Sequence, residues 1–255
     1  MNVLCIGDVV GQAGLACFCR EVPRLKQELD VDFTIVNGEN ADKSGVGLPR
    51  EAAETLLQLA DVVTTGNHSH RRASEALFLE NERVLHPANL PYTEDAAGCV
   101  LVDTGRRGVV RVINLAGVAW MEPIDSPFQR ADELLAQGEA RYTLVDFHAE
   151  SSAEKKALAY YLDGKVSALF GTHTHVATAD EQILPEGTGY ITDAGMTGPV
   201  HSVIGIEPAL AVKKQREHVP VRFEVAAGPA ALRGVLFTLC DETGLCLAVQ
   251  RIEAG

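Results

Sequence analysis

Short apolar segments alternate with longer amphipathic segments along most of this chain. Runs of about four to eight apolar and β-branched residues predict strands, and apolar positions spaced three or four residues apart predict helices. We expect strands at Val3–Gly7, Phe33–Val36, Val62–Thr65, Val100–Asp103, Val110–Leu115, Thr143–Phe147, Ala168–Phe170 and Tyr190–Thr192. We expect helices at Ala13–Glu28, Arg50–Leu59, Arg71–Glu80, Arg130–Ala136 and Ala153–Leu162. Pro49 stands where the second helix begins, a position at which its missing N–H costs little.

The pattern changes towards the C-terminal end, where strand-like segments follow one another without a helix between them. They are Val221–Val225, Gly234–Cys240 and Cys246–Ile252, with residues 241–244 (Asp-Glu-Thr-Gly) as a hairpin connection between the last two. Strand–helix alternation followed by consecutive strands indicates an α/β fold, in which a sheet core is covered by helices and closed by antiparallel strands. We find no internal repeat, low-complexity tract or linker, so we expect a single domain over residues 1–255.

Composition and charge exclude several classes of protein. Apolar residues make up 46% of the 255 residues, enough for a dry core, yet no apolar run approaches the roughly 20 residues that cross a bilayer. Met1–Val10 lacks the basic start and small-residue cleavage pattern of a secretory signal. With 22 Lys and Arg against 35 Asp and Glu, the formal net charge is -13, the wrong sign for a protein that coats nucleic acid. We therefore expect a soluble cytoplasmic protein that binds neither a membrane nor extended nucleic acid.

The six cysteines carry no pattern of disulfide pairing or of zinc binding. Most lie inside apolar runs and none forms a Cys-x-x-Cys pair; they are Cys5, Cys17, Cys19, Cys99, Cys240 and Cys246. We expect buried thiols in a reducing compartment, with neither disulfides nor a thiolate metal site.

Polar side chains follow five of the predicted strands. In chain order they stand in the segments Asp8, Asn37-Gly38-Glu39-Asn40, Gly66-Asn67-His68, His148 and Gly171-Thr172-His173-Thr174-His175. In α/β sheets, ligands bind outside the carboxyl ends of the strands, because the loops there converge. Strand ends that carry Asp, Glu, Asn and His together therefore indicate a metal site.

The residue types in the candidate ligand set narrow the metal chemistry. The set comprises Asp8, Glu39, Asn40, Asn67, His148, His173 and His175. Imidazoles combined with hard oxygen ligands, without thiolates, suit manganese, iron, zinc or cobalt. Seven ligands exceed what one tetrahedral ion takes, so two ions that share a bridging carboxylate fit better. Such a pair, roughly 3.5–4 Å apart, activates a bridging water and stabilises an in-line displacement at phosphorus.

Most of these candidate ligands also have a simpler structural interpretation. Asp8 alone suits the N-cap of the following helix, and Glu39 with Asn40 suits a turn in a glycine-containing loop. Isolated histidines, and pairs such as His173 and His175, are more often structural or surface residues than ligands. Independent coincidences rarely place all of these groups at equivalent strand ends, so their joint occurrence favours the metal site.

Taken together, these motifs resemble those of a known family. The segments Gly7-Asp8, Gly38-Glu39-Asn40, Gly66-Asn67-His68, His148 and residues 171–175 resemble the motifs of calcineurin-like metallophosphoesterases. Residues 145–150 and 171–199 resemble, more narrowly, the bacterial YmdB-like metallophosphoesterases, and the similarity covers essentially the whole chain. It implies an α/β/β/α sandwich with mixed sheets flanked by helices. It also implies a hydrolase, a di-metal phosphodiesterase acting on cyclic nucleotides such as 2′,3′-cyclic AMP.

The resemblance further implies a role for each motif residue. One ion would be held by Asp8, Glu39, Asn40 and His175, and the other by Glu39, Asn67, His148 and His173, so that Glu39 bridges the two. Iron or manganese would be the metal, with zinc as an alternative. His68 would protonate the leaving oxygen, a role that an imidazole beside two cations can fill without binding either of them. The expected partner is a small phosphodiester, and the oligomeric state stays open, a homo-oligomer included.

The chain departs from the family pattern beside the expected ligands. His70 and Arg71 stand where the family usually has an aromatic residue and an acid, and His201 stands where it often has an acid. None of the three is an expected ligand, so the departures affect substrate preference; Arg71 and His201 could hold a phosphate or a base edge, or face solvent. Two other function classes stay open: a regulatory nucleotide-binding protein with slow or incidental hydrolysis, and a mononuclear hydrolase of amides. The intact proton donor His68 favours a phosphodiesterase over the former.

Overall fold

A computed structural model describes residues 1–69, 75–91 and 98–255 of the chain. Its strands are β1 (Asn2–Ile6), β2 (Asp8–Val9), β3 (Phe33–Asn37), β4 (Val62–Thr64), β5 (Cys99–Asp103), β6 (Val109–Ala116), β7 (Tyr142–His148), β8 (Ala168–Thr172), β9 (Gln182–Ile183), β10 (Gly189–Ile191), β11 (Met196–Pro199), β12 (Ala230–Leu239) and β13 (Cys246–Ala254). Its helices are α1 (Gly11–Glu28), α2 (Arg50–Leu57), α3 (Glu75–Glu80), α4 (Pro127–Leu135), α5 (Ser152–Tyr161) and α6 (Pro208–Glu217).

The strands form two mixed sheets. In the first sheet the order is β2-β11-β12-β1-β3-β4, with β13 paired to β12. Strands β1, β3 and β4 run parallel, while β12 lies antiparallel to β1. In the second sheet the order is β5-β6-β7-β8-β10-β9, with four parallel central strands and an antiparallel strand at each edge. The late hairpin of β12 and β13 around residues 241–244 is as predicted.

The two sheets pack face to face, and helices cover their outer faces. Along β1, Val3 and Cys5 join residues of the second sheet in the central core, whereas Leu4 and Ile6 pack with residues of α1, α2 and α3. Alternate residues of β6, β7 and β8 pack against α4 and α5 on the opposite side. This two-residue alternation is what divides a strand's side chains between two cores. The order of layers confirms the predicted α/β/β/α sandwich.

The parallel strands bring the polar segments together. The residues that follow β1, β3, β4 and β8, with the last residue of β7, meet at one edge of the sandwich, where loops of the first sheet contact loops of the second. Five strand ends that are far apart in the sequence therefore share one site, as expected for the carboxyl ends of parallel strands.

Several elements differ from the sequence-based expectation. The strand predicted at Val221–Val225 is wrong, because this segment forms only an isolated bridge between Val225 and Ile206. Val225 packs against Gly11 instead of joining a sheet. Helix α6 was not predicted, since Ala211 is its only buried residue and it lacks an apolar stripe. The short strands β2, β9 and β11 were also missed. The predicted helix over residues 71–80 lies partly outside the described residues, and its last six residues form α3.

All six cysteines are free thiols, but only Cys5, Cys17 and Cys246 are buried. Cys19, Cys99 and Cys240 are partly exposed, so the prediction of buried thiols is right for half of them. Among the described residues, no helix combines the length and the apolar character needed to span a bilayer.

Candidate metal centre

Three side chains from different loops approach a single ring nitrogen of His148. This Nε2 lies 3.0 Å from Oε1 of Glu39, 3.1 Å from Oδ1 of Asn67 and 3.0 Å from Nδ1 of His173. Ligand atoms that each lie about 2.1 Å from one ion are separated from their neighbours by about 3 Å. Ligand atoms of Glu39, His148 and His173 also lie within 4.8 Å of one another, so these three side chains have the spacing of ligands that share an ion, with Asn67 beside them.

The other ring nitrogens of these two histidines are already engaged. Nδ1 of His148 lies 2.9 Å from Oγ1 of Thr172, whose hydroxyl donates to Asp146, so that Nδ1–H donates to Thr172. Nε2 of His173 lies 3.0 Å from Oε2 of Glu150. When these outer nitrogens carry hydrogens, the two facing nitrogens present lone pairs to each other, and a shared proton or a cation is needed between them.

The charges of this cluster are strongly coupled. Burial opposes a charge on His148, but the carboxylate of Glu39 outweighs it and raises the pKa of His148 to about 9. Burial and the neighbouring His148 lower the pKa of His173 to about 3. Burial would raise the pKa of Glu39, yet His148 and His68 hold it well below its ordinary value. The cluster thus keeps Glu39 ionised and His173 neutral, as metal ligands require, while His148 holds a proton that a bound ion would displace.

Asp8 and His175 form a second grouping beside the first. Nδ1 of His175 lies 2.9 Å from the carbonyl oxygen of Ile204, which leaves the lone pair on Nε2, 3.9 Å from Oδ1 of Asp8. Oδ2 of Asp8 accepts a hydrogen bond from the backbone N–H of His173 at 3.1 Å, and Oδ1 lies 3.8 Å from Nδ1 of His148. Burial raises the pKa of Asp8. The carboxylate of Asp8 thus lies between His175 and the grouping around His148.

Asn40 and His68 flank the bridging candidate Glu39 in different ways. The side-chain nitrogen of Asn40 donates to the carbonyl of Gly45 at 2.9 Å, which orients its carbonyl oxygen away from that contact. The backbone N–H of His68 donates to Oε2 of Glu39 at 3.2 Å, and its Nδ1 lies 3.4 Å from Oε1. The His68 side chain is 23% exposed and that of Glu39 only 2%, so His68 stands at the opening of the site.

The residues fit a pair of transition-metal ions. Oδ1 of Asp8 and Oδ1 of Asn40 are buried without a hydrogen-bond partner within the described ranges, an arrangement that is costly unless a cation binds them. Asp8 does not cap α1, whose N-cap is Val10. Two carboxylates, two amide oxygens and three imidazoles form a donor set for manganese, iron, cobalt or zinc. The role of the seven residues as ligands stays a prediction.

Backbone features make this close grouping of side chains attainable. A Cβ atom at position 66 would lie 2.2 Å from Cδ2 of His148 and 2.3 Å from Oε2 of Glu39, so only glycine fits between them. His173 and His175 have φ angles of 99° and 64°, in the left-handed region that non-glycine residues rarely adopt. Strain of this kind persists where the surrounding structure fixes the chain, as it does at functional sites.

A buried aspartate behind the site was not identified from the sequence. Asp146 lies within β7 and accepts hydrogen bonds from Thr64, from Oγ1 of Thr172 at 2.7 Å and from the side chain of Asn37 at 3.0 Å. Thr172 in turn contacts His148. The side-chain oxygen of Asn37 accepts a hydrogen bond from the backbone N–H of Glu39. Burial raises the pKa of Asp146 to about 6. The position of Asp146 inside an otherwise mainly apolar predicted strand was the sequence feature that could have identified it.

A buried ion pair supports the histidine loop. Lys155 of α5 lies 2.7 Å from Oδ2 of Asp193, and both side chains are 0% exposed. The same oxygen accepts the N–H and the hydroxyl of Thr174, which stands between the two left-handed histidines, and Oδ1 accepts the N–H of Gly195. A Cβ at position 171 would lie 2.8 Å from the Lys155 side chain, so Gly171 makes room for it.

Of the three positions that depart from the family pattern, the structure describes one. His201 is exposed. His70 and Arg71 lie outside the described residues.

Comparisons with known proteins agree with the fold. A family profile described as YmdB-like protein matches residues 4–252. The chain is 42% identical to a 2′,3′-cyclic-nucleotide 2′-phosphodiesterase of Bacillus subtilis (strain 168), an alignment that covers 99% of this chain and 96% of the relative.

Solved structures give the same result. The crystal structure of a hypothetical protein from Thermus thermophilus matches with a TM-score of 0.92 and 37% identity, covering 100% of this chain and 99% of the other. A novel phosphatase from Mycoplasma pneumoniae matches with a TM-score of 0.93 and 32% identity, covering 100% and 93%. These matches confirm the resemblance seen in the motifs, and the chain belongs to the YmdB-like family of metallophosphoesterases.

Proposed function

We propose that the protein is a metal-dependent phosphodiesterase that hydrolyses 2′,3′-cyclic nucleotides. The observation that carries the proposal is the convergence of Glu39, Asn67 and His173 on one nitrogen of His148, in a chain 42% identical to a bacterial enzyme named for this activity. The substrate is an anion, whereas the chain has a formal net charge of -13. Cations at the site are needed to reverse that sign locally.

We assign the ligands in two sets. One ion is held by Asp8, Glu39, Asn40 and His175, and the other by Glu39, Asn67, His148 and His173. Iron or manganese suits this donor set, and zinc is an alternative. When bound, two such ions lower the pKa of a water molecule and offset the charge that develops on the phosphate oxygens. The chain contributes fixed lone pairs, since the outer nitrogens of His148 and His175 contact Thr172 and the carbonyl of Ile204.

His68 supplies the proton that the leaving group requires. Opening of a cyclic phosphate releases a ribose oxygen, which must be protonated as its bond to phosphorus breaks. Nδ1 of His68 faces the carboxylate of Glu39 at 3.4 Å, and this contact orients the ring. Part of the ring is exposed at the opening, where Nε2 of the protonated imidazole donates to the leaving oxygen.

The test combines turnover with elemental analysis. Manganese-loaded protein should hydrolyse bis-p-nitrophenyl phosphate and 2′,3′-cyclic AMP, and Asn67→Ala or His148→Ala should abolish activity together with half of the bound metal. His68→Ala should lower kcat by roughly 10²–10⁴ with full metal content. His218→Asn, at the exposed end of α6, is the matched control and should change neither quantity.

Two outcomes would contradict these assignments. Full turnover after thorough metal removal would refute a metal-dependent reaction. Parallel loss of metal and activity in His68→Ala would make His68 a ligand and not the proton donor.

We also infer a cytoplasmic location, because all six cysteines are free thiols and a reducing compartment keeps them so. The proposed partner is a small phosphodiester. A homo-oligomer stays an open alternative, to be tested by light scattering.

A further inference from the structure

A pocket of about 390 Å³ adjoins the candidate metal centre. Asn67 forms part of its wall, so the side chain assigned to the second ion also faces this space. The rest of the wall is mainly apolar and includes Leu90, Pro91, Met121 and Ile124. Its volume lies in the range of about 300–1,000 Å³ that small-molecule sites occupy.

We propose that this pocket binds the base of the nucleotide substrate, with Met121 and Ile124 as specificity-determining residues. The inference rests on the proposed function, because it places the reacting phosphate at the metal centre. A group attached to that phosphate and directed past Asn67 enters the apolar space. The pocket would then give the enzyme its preference for nucleotides over other cyclic phosphates.

The charge of the pocket favours an uncharged occupant. Among the described residues that line it, Glu122 carries the only charged side chain, and that charge is negative. A second phosphate would be repelled by this carboxylate, whereas a neutral base gains apolar contact and finds an acceptor for its amino group. The pocket therefore suits the base and not another anionic part of a larger substrate.

The loop that forms one wall is held in place at both ends. The side-chain nitrogen of Asn89 donates to the carbonyls of Ala116 and Asp125 at 2.8 and 2.9 Å. The backbone N–H of Gly117 donates to the carbonyl of His148 at 2.9 Å, which ties the loop directly to a candidate ligand. The pocket wall is thus pre-formed, and binding a base there costs little ordering of the chain.

The same loop presents an aromatic ring to solvent. Trp120, next to Met121, is 91% exposed and has a φ of 65°. A tryptophan is costly to expose and a left-handed φ is strained for it, so neither feature is explained by packing. The exposed indole, one residue before Met121 of the pocket wall, offers a surface on which a base can stack, because every base has a flat π face.

The test compares a nucleotide with a cyclic phosphate that lacks a base. We expect Met121→Ala to raise KM for 2′,3′-cyclic AMP by roughly tenfold, the scale of a lost apolar contact in a pocket. Turnover of glycerol 1,2-cyclic phosphate should stay unchanged. Val212→Ala, in a separate apolar groove beside α6, is the control and should change neither reaction. Ile124→Ala provides a second variant should Met121→Ala unfold.

A binding measurement separates this inference from the proposed function. Calorimetric titration of chelator-treated protein with adenosine should show binding that Met121→Ala weakens by roughly tenfold. If the parent protein hydrolyses neither cyclic phosphate, the proposed function is refuted. The adenosine titration would still test the pocket in that case. The inference is overturned if Met121→Ala and Ile124→Ala affect both substrates equally or affect neither.

Discussion

The buried ion pair beneath the histidine loop gives the most direct test of how the site is held. Lys155→Met keeps the length of the side chain but removes its charge, which leaves the carboxylate of Asp193 buried and without a countercharge. Removing one partner of a buried pair costs about 3–5 kcal/mol. Three hydrogen bonds to Asp193 remain, from Thr174 and Gly195, so we expect a loss near the lower end, about 3 kcal/mol.

The assay is urea denaturation of chelator-treated protein, analysed as a double-mutant cycle. Asp193→Asn alone leaves the Lys155 ammonium unpaired and should cost a similar amount. The variant with both changes buries no charge at this position, so its loss should fall short of the sum by about 2 kcal/mol or more. Lys156→Met, the exposed neighbour on α5, should stay within about 0.5 kcal/mol of the parent. Because Thr174 separates His173 and His175, metal affinity should also fall by about tenfold in either single variant.

Strictly additive losses would refute this reasoning, since they would mean that neither charge depends on the other. A Lys155→Met variant as stable as the Lys156→Met control would do the same. In both cases the left-handed conformation of the histidine loop would need a different source of support.

Two further predictions concern backbone space and acid stability. Gly66→Ala places a Cβ within 2.2 Å of His148, so we expect elemental analysis to show lost metal while circular dichroism shows an intact fold; full metal content would contradict this. Hydrogen bonds from Arg24 and Arg20 hold the pKa of Glu21 below its ordinary value of 4.5. The ionised Glu21 therefore stabilises the fold above pH 4.5, and this stabilisation is lost as the pH falls through the lowered pKa. Glu21→Gln should therefore lower the urea midpoint at pH 7 by the equivalent of about 1 kcal/mol and have little effect near pH 3; an equal loss at both pH values would contradict the linkage.

The strands that carry the site could be predicted from the sequence because they are buried on both faces. Residues 33–37 and 142–148 are buried throughout, and they appear as mainly apolar runs that end in polar residues, with Asp146 as the one charged interruption. The fold determines how each strand pairs with its neighbours. The sequence alone, however, shows where each strand ends. Hence the candidate ligands could be named before their neighbours in space were known.

The supporting residues could not be found in this way. Lys155 and Asp193 are 38 positions apart, and each alone is typical of an exposed charge. The fold buries both of them, with the Lys155 side chain against Gly171 of β8. The segment at 221–225 failed for the opposite reason, because its alternation suits a strand, yet within the described part of the chain only Val225 forms a bridge, to Ile206 outside both sheets. The apolar residues of helix α6 are contiguous, at positions 208–212, and do not recur at helical spacing, so its periodicity carries no signal.

The order of strands in the first sheet has a consequence for biosynthesis. Strand β1 is flanked on one side by β3 and on the other by β12, which the ribosome delivers some 230 residues later. Until then the edge of β1 that β12 will cover stays open, and such an edge is prone to pair with other chains. All of the candidate ligands precede β12 in the chain, so the donor set is synthesised before the first sheet is complete. Metal capture would then follow the pairing of β12 with β1, the strand that leads into Asp8.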